Sequence, residues 1–218
     1  PEYEEAIGFK FDETINVPNG KTVLEFSLER LMTPSDCEMQ RLLSEDIFLR
    51  VRGPEKICII GQNGMGKTTL LKLIWQSLSE RSDLQVAYMP QNYEELLDMN
   101  QTPIEYLTTT GDKEEITKIR TYLGSMKYTA DEMSHAISEL SGGQRAKILL
   151  LKMNLSGANV LILDEPTRNF SPLSSPIIRR MLASFGGAII SISHDRKYIS
   201  KVCDKVYRLT PQGLNLED

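Results

Sequence analysis

Residues 57–69 read Ile57-Cys58-Ile59-Ile60-Gly61-Gln62-Asn63-Gly64-Met65-Gly66-Lys67-Thr68-Thr69, an apolar run followed by a glycine-rich segment. The segment from Gly61 fits the phosphate-binding pattern G-x-x-x-x-G-K-[ST] without a mismatch. The apolar run is too short for a core helix and predicts a buried parallel strand, whereas Thr68–Leu78 carries apolar residues at helical spacing. The pattern therefore lies between a strand and a helix, the setting in which it binds phosphate.

The residue types in this loop suit a triphosphate. Glycines allow backbone turns that are closed to residues with a Cβ, so successive amide N–H groups can point at phosphate oxygens. Lys67 supplies a mobile charge for the β- and γ-phosphates, and the Thr68 hydroxyl is placed to bind Mg²⁺. The alternative, a plain glycine-rich turn, leaves the Lys and Thr in this order unexplained. The predicted phosphate-contacting residues are Gly61, Gln62, Asn63, Gly64, Met65, Gly66, Lys67, Thr68 and Thr69.

Composition excludes several classes of protein. The 218 residues are 40% apolar, which is enough for a real core in one large domain or two small ones. No apolar run approaches the length of a membrane span, and the N-terminus lacks the pattern of a signal peptide. The net charge is −5, and no basic patch of the kind that binds nucleic acid is present in the sequence. The three cysteines lack metal-ligand spacing, which argues against zinc and disulfides.

The chain before the phosphate loop predicts antiparallel β structure. Pro1–Ala6 is acidic and poor in apolar residues, as expected of the end of a linker in a longer protein. Gly8–Phe11 and Val23–Leu28 are apolar segments on either side of Pro18-Asn19-Gly20, which predicts a hairpin or meander turning there. Ile47–Val51 alternates again before the phosphate-loop strand.

The middle of the chain changes character after a second core strand. Leu84–Met89 predicts that strand, and Gln91 follows at its end, where ligands bind in open α/β sheets. Asn92–Glu139 holds ten acidic and four basic residues. Three of its stretches have helical spacing, so we expect a small helical subdomain there: Ile104–Leu107, Ile116–Leu123 and Met133–Ile137.

Three polar motifs follow in the second half. Ser141-Gly142-Gly143 opens a helix and offers free amides to an anion, although this triplet alone is common in plain loops. Val160–Leu163 predicts a buried strand that ends in Asp164-Glu165, and adjacent carboxylates there favour chemistry over packing, even though carboxylates also cap helices. His194 follows another predicted strand, and taken alone it would be a structural histidine.

These landmarks, in this order, resemble the ATP-binding-cassette (ABC) ATPase family. The resemblance implies an α/β fold: a P-loop NTPase core with a mainly parallel sheet, an N-terminal antiparallel β subdomain and an inserted small helical subdomain. It implies one ABC domain over residues 1–218, with 1–11 as a linker end, 12–91 and 140–218 as the nucleotide-binding core and 92–139 as the helical subdomain.

The resemblance also assigns roles. ATP and Mg²⁺ are the implied ligands, with Thr68, Gln91 and Asp164 near the metal. Glu165 looks like the general base, while Lys67, Gln91 and His194 surround the γ-phosphate. The stretch Leu140–Gln144 is similar to the signature that covers the γ-phosphate of a partner's ATP, which adds four residues to the nucleotide-binding set: Ser141, Gly142, Gly143 and Gln144.

Within the family, the chain is most similar to the F subfamily because of Ser193-His194-Asp195-Arg196 and the short acidic insert. Members carry two cassettes in one cytoplasmic chain, lack a transmembrane partner and mostly act on the ribosome; some confer antibiotic resistance. The chain resembles a second cassette, which implies ATP hydrolysis coupled to conformational change, with another cassette or a second copy as partner. An ATP-binding subunit of a membrane transporter and a non-hydrolysing ATP-dependent switch remain open.

Two departures from the family pattern bear on function. The D-loop aspartate is replaced by Ser171, which bears on communication across a dimer and on the hydrolysis rate. The aromatic residue that usually stacks on adenine is absent from Ser35–Met39, so adenine selectivity is either loose or supplied from elsewhere.

Overall fold

The computed structural model describes residues 10–218 of the chain. The linker-end prediction for residues 1–11 therefore lies almost entirely outside the described residues. In chain order the elements are β1 (Thr22–Met32), β2 (Leu42–Arg52), β3 (Lys56–Ile60), α1 (Lys67–Ser79), β4 (Val86–Met89), α2 (Pro103–Leu107), α3 (Lys113–Ser125), α4 (Ala130–Ser134), α5 (Gly142–Leu155), β5 (Val160–Asp164), α6 (Ser175–Ala183), β6 (Ala188–Ile192), α7 (Arg196–Val202), β7 (Lys205–Thr210) and β8 (Gly213–Leu216).

The core of the fold is a six-stranded sheet in the order β4-β5-β6-β3-β7-β8. All neighbouring pairs are parallel except β7 and β8, which are antiparallel. Strands β5 and β6 are buried along their whole length, as expected of apolar strands with both faces covered. Because β3, β5 and β6 are parallel neighbours, the residues that follow them meet at one edge of the sheet. The predicted α/β class with a mainly parallel sheet is confirmed.

The predicted N-terminal antiparallel sheet is confirmed and has two strands in the described residues. Strand β1 pairs with β2 across residues 33–41. Of the predicted Gly8–Phe11 segment, Lys10 and Phe11 belong to no strand, and the rest lies outside the described residues. A turn does form at Pro18, whose carbonyl accepts a hydrogen bond from Lys21 N at 3.0 Å, but it joins no two strands. The apolar pattern of Val23–Leu28 correctly predicts strand β1. The strand with which β1 pairs depends on packing between distant segments, which a local sequence pattern does not determine.

Short capped helices fill the segment between β4 and α5. Thr102 and Thr129 each form a reciprocal capping box, and Asp112 caps α3, so each helix has its first amides satisfied. The apolar faces of this segment join the same core cluster as α5. The third helix lies three residues earlier than the predicted Met133–Ile137, because helix α4 spans Ala130–Ser134 and residues 137–139 form a single 3₁₀ turn. None of the helices in residues 10–218 has the length and apolar character needed to cross a bilayer.

Candidate functional site

The glycine-rich loop lies between β3 and α1, as predicted. Gly64 and Gly66 have φ of 81° and 91°, in the left-handed region that favours glycine. A Cβ on Gly66 would lie 2.8 Å from Leu43 Cδ1, whereas one on Gly64 would meet nothing within 4 Å. The loop therefore packs tightly against the β1–β2 hairpin at Gly66 and leaves open space at Gly64, as a phosphate cradle requires.

Lys67 spans this loop from the first turn of α1. Its Nζ donates to the carbonyl oxygens of Gly61 and Gln62 at 2.8 and 2.9 Å. Burial lowers the pKa of Lys67, and the nearby carboxylates Glu165 and Asp164 oppose that shift. The Lys67 ammonium is thus buried at the loop, close to the carboxylates of Glu165 and Asp164. A bound phosphate could replace its hydrogen bonds to the two carbonyl oxygens.

Thr68 and Asp164 form the second part of the site. The Thr68 hydroxyl donates to Asp164 Oδ2 at 2.8 Å, and Asp164 is only 2% exposed. Burial is the main cause of the raised pKa of Asp164, with a further contribution from Glu165. Two adjacent carboxylates in a buried site fit a cation, and hydroxyl, carboxylate and amide oxygens are the ligands that Mg²⁺ prefers. Gln91 lines the same cavity.

Other metals fit less well. In the described part of the chain, no three His, Cys, Asp or Glu side chains lie close enough to hold a metal ion. Mg²⁺ differs from zinc in taking one or two protein oxygens together with substrate phosphates. The donor set here suits that mode of binding.

Glu165 has an unusual backbone conformation that the sequence did not indicate. Its φ is 52°, a left-handed value that costs a non-glycine residue about 1–3 kcal/mol. Its amide donates to Ile192 O at 2.8 Å, and its carboxylate contacts His194 twice, through the ring Nδ1 and through the backbone N at 3.2 Å. The turn after β5 thereby directs the carboxylate at His194, two residues beyond the end of β6.

A buried arginine contacts Asp195, the residue that follows His194. The Arg179 guanidinium lies 3.4 Å from Asp195 Oδ2, and the Thr167 hydroxyl donates to the same oxygen at 2.9 Å. Asp195 also caps α7, accepting from the amides of Lys197 and Tyr198. Burial acts to raise the pKa of Asp195, but these hydrogen bonds and the Arg179 charge outweigh it and leave the pKa lowered. Sequence analysis missed this cluster, whose members are brought together only by the tertiary fold.

We expect Arg179→Met to destabilise the chain by about 1–3 kcal/mol in urea unfolding at pH 7, because it removes one partner of a largely buried ion pair. The figure is reduced because the Asp195 side chain is 26% exposed. The folded-state pKa of Asp195 is lowered, so its contribution is present above the unfolded pKa and is lost as pH falls. The deficit should therefore persist at pH 4 and shrink at pH 3, below the usual aspartate pKa of about 3.9.

Arg180→Met is the matched control, because Arg180 is the next residue on α6 and is exposed. We expect it to change the free energy of unfolding by less than about 0.5 kcal/mol. An equal loss in both variants, or an Arg179→Met deficit that grows at pH 3, would contradict this account of the cluster.

Most of the predicted site residues line one cavity of about 340 Å³. Three residues of the β1–β2 hairpin, Thr33, Pro34 and Leu43, also line it. Gly61, Gln62 and Met65 instead face a separate hollow shared with the β7–β8 turn. The predicted residues in the main cavity are Asn63, Gly64, Gly66, Lys67, Thr68, Thr69, Gln91, Asp164, Glu165 and His194.

The predicted signature residues lie outside this cavity. Ser141 caps α5 in a capping box with Gln144, so the Gln144 amide and side chain are engaged within the cap. Gly142 and Gly143 pack against Asn169. A Cβ on Gly142 would lie 3.3 Å from the Asn169 side chain, and a Cβ on Gly143 would lie 3.1 Å from the Asn169 carbonyl oxygen. Within one chain, therefore, Ser141–Gln144 and the phosphate loop are not brought together.

Comparison with known proteins agrees with these features. The family described as "ABC transporter" matches residues 44–168. The putative ATP-binding protein YdiF of Bacillus subtilis (strain 168) is 32% identical over 95% of this chain and 32% of its own length. "ABC transporter F family member 2" of Arabidopsis thaliana is 30% identical over 80% of this chain and 27% of its own length. Protein GCN20 of Saccharomyces cerevisiae is 27% identical over 98% of this chain and 28% of its own length. The chain thus spans about a third or less of these relatives.

A solved structure shares the fold. The ATP-binding cassette MJ0796, determined as a dimer in a post-hydrolysis state bound to ADP and Pi, superposes with a TM-score of 0.72 at 16% identity. The match covers 88% of this chain and 97% of that chain. At this identity the likeness establishes the fold alone.

Proposed function

The chain belongs to the ATP-binding-cassette (ABC) family of ATPases, and we propose that it binds ATP with Mg²⁺ in the main cavity and hydrolyses it to ADP and phosphate. The observation that carries the proposal is the convergence of Lys67, Asp164, Glu165 and His194 on one cavity beside the phosphate loop. Phosphoryl transfer depends on positioning and charge neutralisation, which these groups supply.

The chain's residues would divide the work as follows. Loop amides and Lys67 hold the phosphates, with the ammonium exchanging its carbonyl contacts for phosphate oxygens. Mg²⁺, held on the side of Thr68, Asp164 and Gln91, would neutralise phosphate charge. Glu165 accepts a proton from the attacking water while the water oxygen bonds to the γ-phosphorus and the bond to the β-phosphate oxygen breaks. His194, in contact with Glu165, is placed to donate to the γ-phosphate.

We propose that a complete site needs a second cassette. Ser141–Gln144 lies outside the cavity that holds the chain's own phosphate loop, so we propose that this helix N-terminus contacts the γ-phosphate of a partner. The dimeric state of the MJ0796 cassette supports this arrangement by analogy. The partner would be a tandem cassette in a longer chain or a second copy. Within each cassette, we propose residues 12–91 and 140–218 as the nucleotide-binding core and 92–139 as the helical subdomain.

Ser171→Asp is expected to raise ATP turnover in the full-length protein. Ser171 is exposed, and its Oγ accepts from Ser174 N at 3.2 Å, a contact that an aspartate can keep. The added carboxylate could then hydrogen-bond across the dimer and order the opposing phosphate loop. Steady-state phosphate release measures this, with Ser171→Asn as a control that keeps the shape but lacks the charge. A fall in turnover in the Asp variant would instead indicate an alternative loop suited to the partner.

We further propose that the full-length protein is a cytoplasmic F-subfamily protein that couples ATP hydrolysis to conformational change on the ribosome. Relatives named as F-family members, at about 30% identity, support the subfamily. Two alternatives remain for the whole protein: it is the ATPase subunit of a membrane transporter, or it is a switch that binds ATP without hydrolysing it. Only Ser171 favours the second alternative.

Sucrose-gradient sedimentation tests the partner. We expect the full-length protein to sediment with ribosomes in the presence of ATP and Mg²⁺, more strongly for a variant that cannot hydrolyse ATP. Sedimentation with membrane fractions and not with ribosomes would favour the transporter subunit and contradict the ribosomal proposal.

A further inference from the structure

We propose that Arg179, a buried residue of α6 that does not line the main cavity, positions the base Glu165 through its contact with Asp195. Arg179 is then a positioning residue for ATP cleavage and has no contact with the nucleotide. The inference rests on the proposed ATPase function and adds to it a residue on which the rate of cleavage depends.

Hydrogen bonds join the turn after β5 to the turn after β6. The Glu165 amide donates to Ile192 O at 2.8 Å, and the His194 amide donates to Glu165 Oε2 at 3.2 Å. Further along the two turns, the Thr167 hydroxyl donates to Asp195 Oδ2 at 2.9 Å. The place of the Glu165 carboxylate therefore depends on how closely these two turns are held together.

Asp195 is the residue that fixes the second turn. Its Oδ1 accepts from the amides of Lys197 and Tyr198 at 2.9 and 3.2 Å. Its Oδ2 accepts from the Thr167 hydroxyl and lies 3.4 Å from Arg179 Nη1. One carboxylate oxygen thus caps α7, while the other contacts both the turn after β5 and helix α6.

Arg179 supplies the positive charge for this carboxylate. The arginine is buried, whereas the Asp195 side chain is partly exposed. The Arg179 Nε has no hydrogen-bond partner in the described part of the chain, so the contact with Asp195 is made through Nη1. Without Arg179, the Asp195 carboxylate is free to turn toward water and to lose its contact with Thr167. The joint between the two turns would then loosen.

A loosened joint should lower the rate of cleavage more than the affinity for ATP. A general base must lie within hydrogen-bond distance of the water that it deprotonates. A misplacement of about 1 Å, caused by a change far from the reacting atoms, can lower a rate about 100-fold. ATP affinity should change little, because none of Thr167, Arg179 and Asp195 lines the cavity that holds the phosphate loop.

The first test measures single-turnover ATP cleavage and ATP affinity in the proposed two-cassette protein, with the base of the other cassette replaced. Arg179→Met should lower the cleavage rate at least tenfold and leave the Kd for ATP within threefold, at a temperature at which circular dichroism shows it to be folded. Arg180→Met, at the next and exposed position of α6, is the control and should change both by less than twofold. In a protein that also carries Glu165→Gln, Arg179→Met should change the residual rate less than threefold, because the base that it positions is already absent.

The second test removes the joint without removing the charge of Arg179. Thr167→Val keeps the shape of the side chain but lacks the hydroxyl that donates to Asp195. We expect it to lower the cleavage rate at least fivefold with ATP affinity within threefold, and we expect Thr167→Ser, which keeps the hydroxyl, to stay within twofold of the parent protein.

Three results would overturn the positioning role. One is a cleavage rate that falls less than tenfold in Arg179→Met or, if that variant does not fold, less than fivefold in Thr167→Val. Another is a loss of ATP affinity as large as the loss of rate. The third is a further loss of threefold or more when Arg179→Met is added to Glu165→Gln. In each case the parent protein still cleaves ATP and the proposed function stands; a parent protein that cleaves no ATP contradicts the proposed function and this inference with it.

Discussion

Lys67→Ala is expected to abolish detectable ATP binding at millimolar nucleotide while leaving the chain folded. The ammonium is buried against the loop and would contact the β- and γ-phosphates directly. Losing a charge-assisted contact of this kind costs about 2–4 kcal/mol, equivalent to about 30- to 900-fold in Kd. The lost hydrogen bonds are to the carbonyls of Gly61 and Gln62, which border the site and can accept from water instead, so stability should fall by less than about 2 kcal/mol.

Titration calorimetry and thermal unfolding separate these two effects. Lys72→Ala is the matched control: it removes the same charge from the same helix, where Lys72 makes only a partly exposed contact with Glu95 at 3.5 Å. We expect it to change ATP affinity less than threefold. Unchanged ATP affinity in Lys67→Ala would contradict the phosphate-binding role of Lys67. An equal loss of affinity in both variants would mean that the overall positive charge of α1 attracts ATP, and that a specific contact between Lys67 and the phosphates does not.

Glu165→Gln is expected to lower ATP turnover at least 100-fold, the lower end of what a general base contributes, while ATP still binds. Glutamine keeps the length and one acceptor oxygen, so the contact with the His194 amide can survive. Because ATP can close the two cassettes but cannot be cleaved, the variant should accumulate in the closed state. In the proposed two-cassette protein, with the matching change in both cassettes, the variant should then remain ATP-bound on its target.

The chain alone provides a second readout of the same variant. We expect the wild-type chain to bind ATP but hydrolyse it slowly, and the Glu165→Gln chain to elute as a dimer more readily in gel filtration with ATP and Mg²⁺. Glu95→Gln is the control, because Glu95 is a carboxylate of the neighbouring hollow beside Thr68 and lies outside the main cavity. If Glu165→Gln forms no closed species in either protein, the role of Glu165 as base is wrong and the non-hydrolysing switch is favoured.

The parts of the site that were predicted from sequence are those whose chemistry is local. The phosphate loop could be placed because its glycines, lysine and threonine must occur at fixed spacing between a strand and a helix. The positions of Asp164 and His194 followed from apolar runs that end abruptly in polar residues, and in parallel sheets such ends gather at one edge. Their convergence on one cavity agrees with that prediction, while their catalytic roles remain proposals.

The features of the fold and site that the sequence did not predict depend on contacts between residues far apart in the chain. The partner of β1 could not be chosen from the alternation in Val23–Leu28, because the earlier Gly8–Phe11 and the later Ile47–Val51 were both candidate strands. Nothing in the sequence marks Glu165 for a left-handed backbone, since glutamate seldom adopts one. Arg179 looks like an ordinary helical arginine until the fold buries it against Asp195. The family resemblance pointed to Ser35–Met39, between β1 and β2, for base stacking, but it did not indicate the close contact between Leu43 and Gly66.

The most direct test of the central claim is a rapid-quench measurement on the full-length protein in which the base of the other cassette has already been replaced. The protein is mixed with γ-labelled ATP and Mg²⁺, and bound nucleotide and labelled phosphate are quantified over a single turnover. We predict that the protein with Glu165 intact releases labelled phosphate and that the Glu165→Gln variant retains uncleaved ATP. Labelled phosphate appearing at the same rate in both proteins, or no bound ATP in either, would contradict the account.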